Sequence, residues 1–240
     1  MGHPQNDPEL FGSWAMGAFG PFVFPGNLVR AAENNFNSEW AQNVAAKHKA
    51  FIRIKLTYAV GKNATILPPG YNSSTAPLEE LAFLTDIAGV LLSLPQALAY
   101  FNPNGEVLMN ADSLERSVAH YAKIGLPAMT VWTNVRYYHQ EENWSFMDVI
   151  GMEQLFMRDH EACFITGKYD LDEIANFLRN VAEHIRQKGP VIKPGDVVRG
   201  PGKIDWRAMH CDKSLCIMPR PVIRWFPQDG TEPPKSMLVK

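Results

Sequence analysis

The chain has 240 residues, of which 46% are hydrophobic and 20% charged, and its formal net charge is -2. Disordered chains are poorer in apolar residues and further from neutrality, and 17 Gly with 18 Pro is too few for a collagen-like or low-complexity chain. The longest apolar stretch, Leu81 to Leu94, is shorter than the roughly 18 residues that a membrane span needs. The composition therefore predicts a soluble globular protein that does not enter a membrane.

The cysteines and the first residues indicate a cytoplasmic location. Cys163, Cys211 and Cys216 are an odd number and too few for a disulfide framework. The first residues carry neither the basic nor the apolar part of a secretory signal. Residues 186–240 hold 11 Lys or Arg and 5 Asp or Glu, a net charge of +6, whereas residues 1–185 sum to -8. We interpret the basic stretch as a solvated C-terminal region.

The first part of the chain alternates between strand and helix patterns. Residues 19–24 are a short apolar run containing a proline, which is typical of an edge strand. Apolar residues spaced mostly four apart predict a helix from Pro25 to about His48, and alternation predicts a strand over 50–60. Residues 77–94 are apolar around most of a helical surface, so they predict a buried helix that ends at Pro95.

A hairpin and a capped helix follow. Asn102–Gly105 predicts the turn between two short strands. Asn110 is a typical N-cap, and Gly125 stands where a left-handed C-terminal cap favours glycine, so a helix is expected between them. Residues 128–138 are rich in β-formers and predict a strand.

The second half contains the clearest helix. Asp170 with Glu173 forms a capping-box pattern, which predicts a helix over 170–188 that ends at Gly189. Residues 139–145 are interpreted as a loop and 146–158 as an ambiguous segment that could be helical. The strand candidates of this half are 162–166, 191–199, 204–209 and 215–226.

This order of elements predicts an α+β fold. Hairpins occur beside longer crossovers, which favours a mainly antiparallel sheet with helices packed on one face. Two ferredoxin-like halves are one arrangement that the pattern allows. We expect a single α+β domain over 18–226, with flexible or peripheral termini over 1–17 and 227–240.

Catalytic motifs are absent, but one cluster could support acid–base chemistry. No phosphate-binding loop, dinucleotide motif, nucleophile elbow or zincin helix occurs. Two carboxylates beside a histidine can transfer protons if one pKa is shifted, and this pattern occurs at Glu153, Asp159, His160 and Glu161. A solvated charge cluster is the alternative interpretation. Cys163 is not expected to use His160 as a base, because residues three apart on a strand face opposite sides.

A second cluster has the residue types of a zinc site. His210, Cys211 and Cys216 offer imidazole and thiol groups, but a structural zinc site needs four ligands. Cys163 or His184 could supply the fourth. Free cysteines commonly pack as small apolar residues, and on that interpretation the sequence predicts no metal and no cofactor.

An aromatic and arginine-containing segment is the candidate binding surface. Tyr, Trp and Arg are enriched at protein-binding hot spots. The predicted binding residues are Trp132, Arg136, Tyr138 and Trp144, with Tyr137 between them. The same residues are also common in sheets. A nucleic-acid partner is not expected, because the isoelectric point is about 6.4.

Several segments follow one another in a recognisable order. They are Gly20-Pro21 through Trp40, the strand FIRIKLTYA after His48-Lys49-Ala50, the stretch LEELAFLTDIAGVLLSLPQALAYF, Gly151-Met152 before Glu161, and DLDEIANFLRNVAEHIRQKG followed by VIKPGDVV. This order resembles that of a bacterial family, domain of unknown function 4261 (DUF4261). The resemblance extends over most of 18–200, but residues 1–17 are too short for the additional strand and helix of the family, and Val149 stands where Thr is common. The resemblance implies no reaction and no catalytic residues.

These observations predict a non-catalytic bacterial protein of the cytoplasm that acts through protein contacts. Its expected role is that of an accessory, regulatory or toxin-neutralising factor with a protein partner, and neither nucleic acid nor a membrane is expected to bind. The competing hypothesis is a hydrolase-like enzyme that uses His160 and Glu161, with Glu153.

Overall fold

The structure is a computed structural model that describes residues 26–59, 62, 64–140, 143–217 and 219–239. The chain folds into two compact units, of which the first ends at Thr133 and the second begins at Asn134. The helices and the mostly antiparallel strands confirm the α+β class. The single domain predicted over 18–226 thus contains two units. None of the described helices combines the length and apolar character of a membrane span.

Unit 1 is built around a short β-hairpin. The faces of the hairpin contact different helices: Leu108 and Phe101 pack against the first two helices, whereas Tyr100 and Met109 pack against the later ones. Strand alternation explains this division, because neighbouring residues face opposite sides. The elements are α1 (Asn27–Glu33), α2 (Ser38–Lys47), α3 (Ala76–Leu92), β1 (Tyr100–Asn102), β2 (Val107–Met109), α4 (Ala111–Ile124) and α5 (Met129–Trp132).

Asparagines interrupt the helix that the sequence predicts over Pro25–His48. The side chain of Asn37 accepts a hydrogen bond from the backbone N–H of Trp40, and Asn35 accepts one from the N–H of Asn37. Asparagine side chains compete with the helix for backbone groups in this way, so α1 ends and α2 begins anew.

The later helices of unit 1 keep their predicted bounds but differ in burial. The Asn110 side chain caps α4, and Gly125 follows it with a φ of 68°, as predicted. In α3, however, only Pro77 and Thr85 are buried, so the prediction of a buried helix is wrong. Leu78, Leu81 and Leu92 are partly buried against the hairpin and α4, whereas Phe83 and Val90 are exposed.

Unit 2 is a six-stranded sheet with one long helix on one face. Two antiparallel three-stranded meanders meet through the parallel pair β5 and β8, which gives the strand order β3-β4-β5-β8-β7-β6. The suggestion of two ferredoxin-like halves is therefore wrong. Unit 1 is centred on a hairpin, and unit 2 is this six-stranded sheet. The elements are β3 (Asn134–His139), β4 (Trp144–Ile150), β5 (Asp159–Ile165), α6 (Leu171–Lys188), β6 (Val197–Gly200), β7 (Ile204–Cys211) and β8 (Val222–Pro227), with 3-10 turns at Met152–Leu155, Pro201–Lys203 and Lys235–Leu238.

The helix α6 covers one face of this sheet with apolar side chains. Asp170 caps it by accepting from the N–H groups of Asp172 and Glu173, as the capping box predicts. Phe177 packs its ring against Trp206 and Trp225 of the sheet, with centroids 5.5 and 5.4 Å apart. These contacts leave the opposite face of the sheet to be covered by other segments.

Several sequence predictions differ from the structure. Residues 129–132 are helical where a strand is predicted, and β4 occupies 144–150 where the sequence favours a loop or helix. The strand predicted over 50–60 is not among the strands of the described residues, and the runs 1–17 and 19–24 lie outside those residues. The predicted flexible or peripheral C-terminus instead buries Met237 completely against the sheet.

Gly105 in the β1–β2 turn packs closely against the backbone of Trp132, and a substitution at Gly105 tests this contact. An added methyl group would overlap the carbonyl oxygen of Trp132. We expect Gly105→Ala to lower the free energy of unfolding by about 1–3 kcal/mol, measured by urea denaturation. Gly89 in α3 has nothing within 4 Å of the added carbon, so the matched Gly89→Ala should stabilise by about 0.5–1 kcal/mol. Equal effects of the two changes would contradict this packing.

Candidate functional site: a buried charge network

Four charged residues form one row across four strands of unit 2. Arg136 on β3 lies opposite Asp148 on β4, and Asp148 lies opposite Glu161 on β5. Glu161 in turn lies opposite Arg224 on β8. Side chains that are opposite one another project from the same face, so all four lie on the face away from α6. All four are completely or almost completely buried.

Each outer arginine neutralises the carboxylate beside it. Arg136 Nε lies 3.0 Å from Asp148 Oδ1, and Arg224 Nε lies 2.8 Å from Glu161 Oε2. Buried ionised groups persist where they are paired and hydrogen-bonded. Without the arginines, the two adjacent carboxylates would repel each other, because like charges opposite one another destabilise a sheet.

A third arginine joins the row from the segment between β7 and β8. Arg220 Nη2 lies 2.6 Å from Asp148 Oδ2, and the Nε of Arg220 donates to Asp159. The resulting set has three positive and three negative side chains. We call Arg136, Asp148, Asp159, Glu161, Arg220 and Arg224 the buried charge network.

The network also fixes the segments that cover it. Arg224 donates to the carbonyl oxygens of Lys213, Met237 and Val239, at 2.9, 2.7 and 3.0 Å. The carboxylate of Glu161 accepts from the backbone N–H of Leu215 at 2.7 Å. The segment after β7 and the C-terminal turn are therefore held against the sheet by charge-assisted hydrogen bonds.

The arginines decide the protonation of Asp148. Burial alone would raise the pKa of Asp148, but Arg136 and Arg220 outweigh burial and lower it to about 2. Burial raises the pKa of Asp159 and of Glu161, and their arginine partners offset only part of that rise. Asp148 is thus the carboxylate that the network keeps ionised most firmly.

A cysteine lies against the network but does not turn it into a metal site. The Cys216 thiol lies 3.2 Å from Asp148 Oδ2, and the ligand atoms of Asp148, Glu161 and Cys216 are within 4.8 Å of one another. Burial raises the pKa of Cys216, whereas a metal ligand is a thiolate. The carboxylate oxygens already accept from guanidinium groups, so this donor set fits internal ion pairs better than a bound cation.

His160 faces the other side of the sheet, towards α6. Its Nδ1 accepts from the indole N–H of Trp225 at 3.1 Å, which places the proton of the neutral ring on Nε2. The side chain is fully buried, and burial lowers its pKa to about 3. His160 is therefore a neutral core residue at physiological pH.

The structure does not bring the acid–base candidates together. His160 and Glu161 lie on opposite faces of β5, and both are inaccessible to solvent. Asp159 shares the face of Glu161 but is bound by Arg220, while Glu153 is exposed in the 3-10 turn after β4. The hydrolase-like arrangement requires these groups in one cleft, and the fold separates them because neighbouring strand residues alternate.

The zinc candidates are also separated. His210 faces the α6 side and its Nε2 contacts the carbonyl oxygen of Ile192 at 3.0 Å. Cys211 lies on the opposite face, and Cys216 lies against Asp148. Of the suggested fourth ligands, Cys163 is buried in an apolar cluster and His184 is exposed on α6.

Three of the four predicted binding residues are buried. Trp132 is buried in unit 1 and donates to Thr85 at 2.8 Å. Arg136 belongs to the buried charge network, Trp144 is buried, and the ring of Tyr138 stacks on Phe146. The buried Trp132, Arg136 and Trp144 are not accessible to a partner. Tyr138 is half-buried, and the neighbouring Tyr137 is 39% exposed.

Asp148, Arg220 and Arg224 are not among the site residues that the sequence predicts. Two of them leave a recognisable signal, since Asp148 is the lone charge in WSFMDVI and Arg224 the lone charge in VIRWF. A single charge inside an apolar strand needs a buried partner of opposite sign. Arg220 lies in an irregular Pro-Arg-Pro segment and leaves no such signal.

Comparison with known families places the network in a recognised segment. Residues 148–226 match the family model described as Domain of unknown function (DUF4261). Unit 2 contains a DUF4261-like domain. The match holds five of the six network residues, with Arg136 preceding it, and the resemblance over 18–147 stays a prediction. No curated protein and no solved structure matches the chain significantly.

Removal of Asp148 should destabilise the DUF4261-like domain. Asp148→Asn preserves shape but leaves Arg136 and Arg220 without their shared carboxylate. We expect the free energy of unfolding to fall by about 3–5 kcal/mol, measured by urea denaturation.

An exposed ion pair on the same sheet supplies the control for Asp148. The Asp205 side chain is 55% exposed and that of Arg199 is 68% exposed, and Arg199 Nη1 lies 3.4 Å from Asp205 Oδ1. Because water screens such a pair, Asp205→Asn should lower the free energy of unfolding by less than about 1 kcal/mol. A loss for Asp148→Asn as small as that for Asp205→Asn would show that the network does not hold the sheet together.

The buried histidine should make stability depend on pH. The pKa of His160 is about 3 in the fold against 6.5 in the unfolded chain, so the unfolded chain binds one more proton between these values. The contribution of His160 to the free energy of unfolding is complete above pH 6.5. Below that pH it declines by about 1.4 kcal/mol per pH unit. In His160→Gln the amide oxygen can still accept from Trp225, and the slope between about pH 4 and 6 should flatten by about one proton.

The exposed His184 provides the matched control for this slope. His184→Gln should leave the pH dependence of unfolding unchanged, measured by denaturant titrations at a series of pH values. The raised pKa values of Asp159 and Glu161 favour folding at low pH, which is opposite to the effect of His160. They are the same in the wild type and in both variants, so they cancel in the comparison. An unchanged slope in His160→Gln would refute the assignment of a buried neutral imidazole.

Proposed function

We propose that the protein is a non-catalytic, protein-binding factor of the bacterial cytoplasm that acts as an accessory, regulatory or toxin-neutralising partner. The commitment of the buried ionisable groups of the DUF4261-like domain to internal partners supports this proposal. Asp148 and Glu161 are paired with arginines, and His160 is neutral and enclosed. Groups held in this way stabilise a scaffold and are not available to a substrate.

The binding surface that we propose lies on α3 in unit 1. Phe83, Asp86 and Val90 are spaced three and four apart, so they form one line along the helix. Phe83 is 54% and Val90 72% exposed, and Asp86 between them is exposed. We infer that this mixed line of apolar and acidic side chains is a contact surface for another protein.

The charge of α3 indicates the chemistry of the partner. The helix carries Glu79, Glu80 and Asp86 and has no Lys, Arg or His. Glu79 stands four residues before Phe83 and Asp86 three residues after it, so both carboxylates lie on the same line of the helix as the exposed apolar side chains. We therefore infer a partner that presents an amphipathic helix with an apolar face and basic flanks.

The same charges disfavour two other occupants. A second copy packed symmetrically through α3 would bring acidic residues together without a cation from either helix. An anionic membrane surface attracts basic segments and repels acidic ones.

A peptide titration tests this surface. The probe is a fluorescent amphipathic helical peptide of Leu and Lys, and its control replaces each Lys by Glu. The 240-residue chain should bind the basic peptide and not the acidic one, measured by fluorescence anisotropy. Val90→Asp should weaken binding about tenfold or more by placing an unpaired charge in the contact, and Asp86→Asn should reduce its salt dependence.

The control lies on another exposed helix face. Glu115→Gln removes an exposed carboxylate from α4 and should leave peptide binding unchanged. Equal binding of both peptides, or wild-type binding by Val90→Asp, would overturn the proposal. Affinity capture with wild-type and Val90→Asp protein then identifies the partner as the protein that only the wild type retains.

A further inference from the structure

Unit 1 also contains a polar hollow that the proposed binding surface does not use. Its volume is about 350 Å³. Each of its lining side chains can donate a hydrogen bond, and none of them is acidic. They are Ser113, Arg116, Ser117, His120, Tyr121 and Thr130.

Helical spacing gathers these donors on one side of α4. Ser113, Ser117 and Tyr121 lie four residues apart and form one line of hydroxyl groups. Arg116 and His120, also four apart, form the neighbouring line, and Thr130 of α5 borders the hollow from another element. The carboxylates of Asp112 and Glu115 belong to the same helix but do not line the hollow.

The position of Arg116 adds a positive charge to the hydroxyl line. Arg116 Nη2 lies 3.3 Å from Ser113 Oγ, so the guanidinium group is at the hydroxyls and remains exposed to an incoming ligand. A guanidinium group binds phosphate oxygens through two parallel hydrogen bonds, and serine and threonine hydroxyls supplement such contacts.

We infer that this hollow binds a small phosphate monoester such as a phosphorylated sugar. The guanidinium group and the imidazole would contact the phosphate, and the hydroxyl line would contact the polar groups of the remaining molecule. The hollow is shallow and open to solvent, which suits a small ligand held mainly by its charged end. The inference is independent of the α3 surface, because the two sites share no residue.

An NMR titration of the isotopically labelled full chain with glucose 6-phosphate tests the site. The backbone amide signals of residues 113–121 and Thr130 should shift in a saturable manner, and glucose without phosphate should leave them unchanged. Arg116→Gln should weaken binding about tenfold, because a hydrogen bond between charged groups is lost. Ser117→Ala should weaken it to a smaller extent.

Lys123→Gln is the matched control, since Lys123 is an exposed cation of α4 outside the hollow. It should bind glucose 6-phosphate like the wild type. Three outcomes would overturn the inference: no saturable shift, equal shifts with glucose, or equal weakening by Lys123→Gln and Arg116→Gln. Arg116 is exposed, and an unchanged thermal unfolding transition verifies that its variant is folded.

Discussion

The adjacent carboxylates Asp148 and Glu161 are the constraint on which unit 2 depends. The strand register places them side by side in a buried position, where their repulsion must be balanced. Arg136 and Arg224 balance it from the two neighbouring strands, and Arg220 adds a contact from a loop. A register slip of one residue would move a strand's charge to the apolar face beneath α6, so the ion pairs and the register support each other.

The arginines also connect regular and irregular structure. Arg224 reaches from β8 to carbonyl groups of the segment after β7 and of the C-terminal turn. These segments contain prolines and short turns, and they also pack Leu215, Cys216 and Met237 against the sheet. Charge-assisted hydrogen bonds therefore add to apolar packing in holding irregular segments on the face of the sheet away from α6.

The buried carboxylates and arginines of the DUF4261-like domain are paired inside the fold, and the surfaces proposed to bind ligands belong to unit 1. The α3 surface is apolar and acidic, whereas the hollow beside α4 is lined by donors. Two surfaces of such different chemistry suit a protein partner and a small anionic ligand, respectively.

Elements with local signals are predictable from the sequence. The Asp170 capping box, the Asn110 cap with Gly125 and the hairpin turn each lie within a few residues, and the structure has α6, α4 and the β1–β2 hairpin at these places. The candidate site, by contrast, depends on the tertiary fold. The alternation of β5 assigns His160 and Glu161 to opposite faces, and the partners of Asp148 come from residues up to 72 positions away. A pairing of that kind depends on strand order and register, which local sequence patterns do not specify.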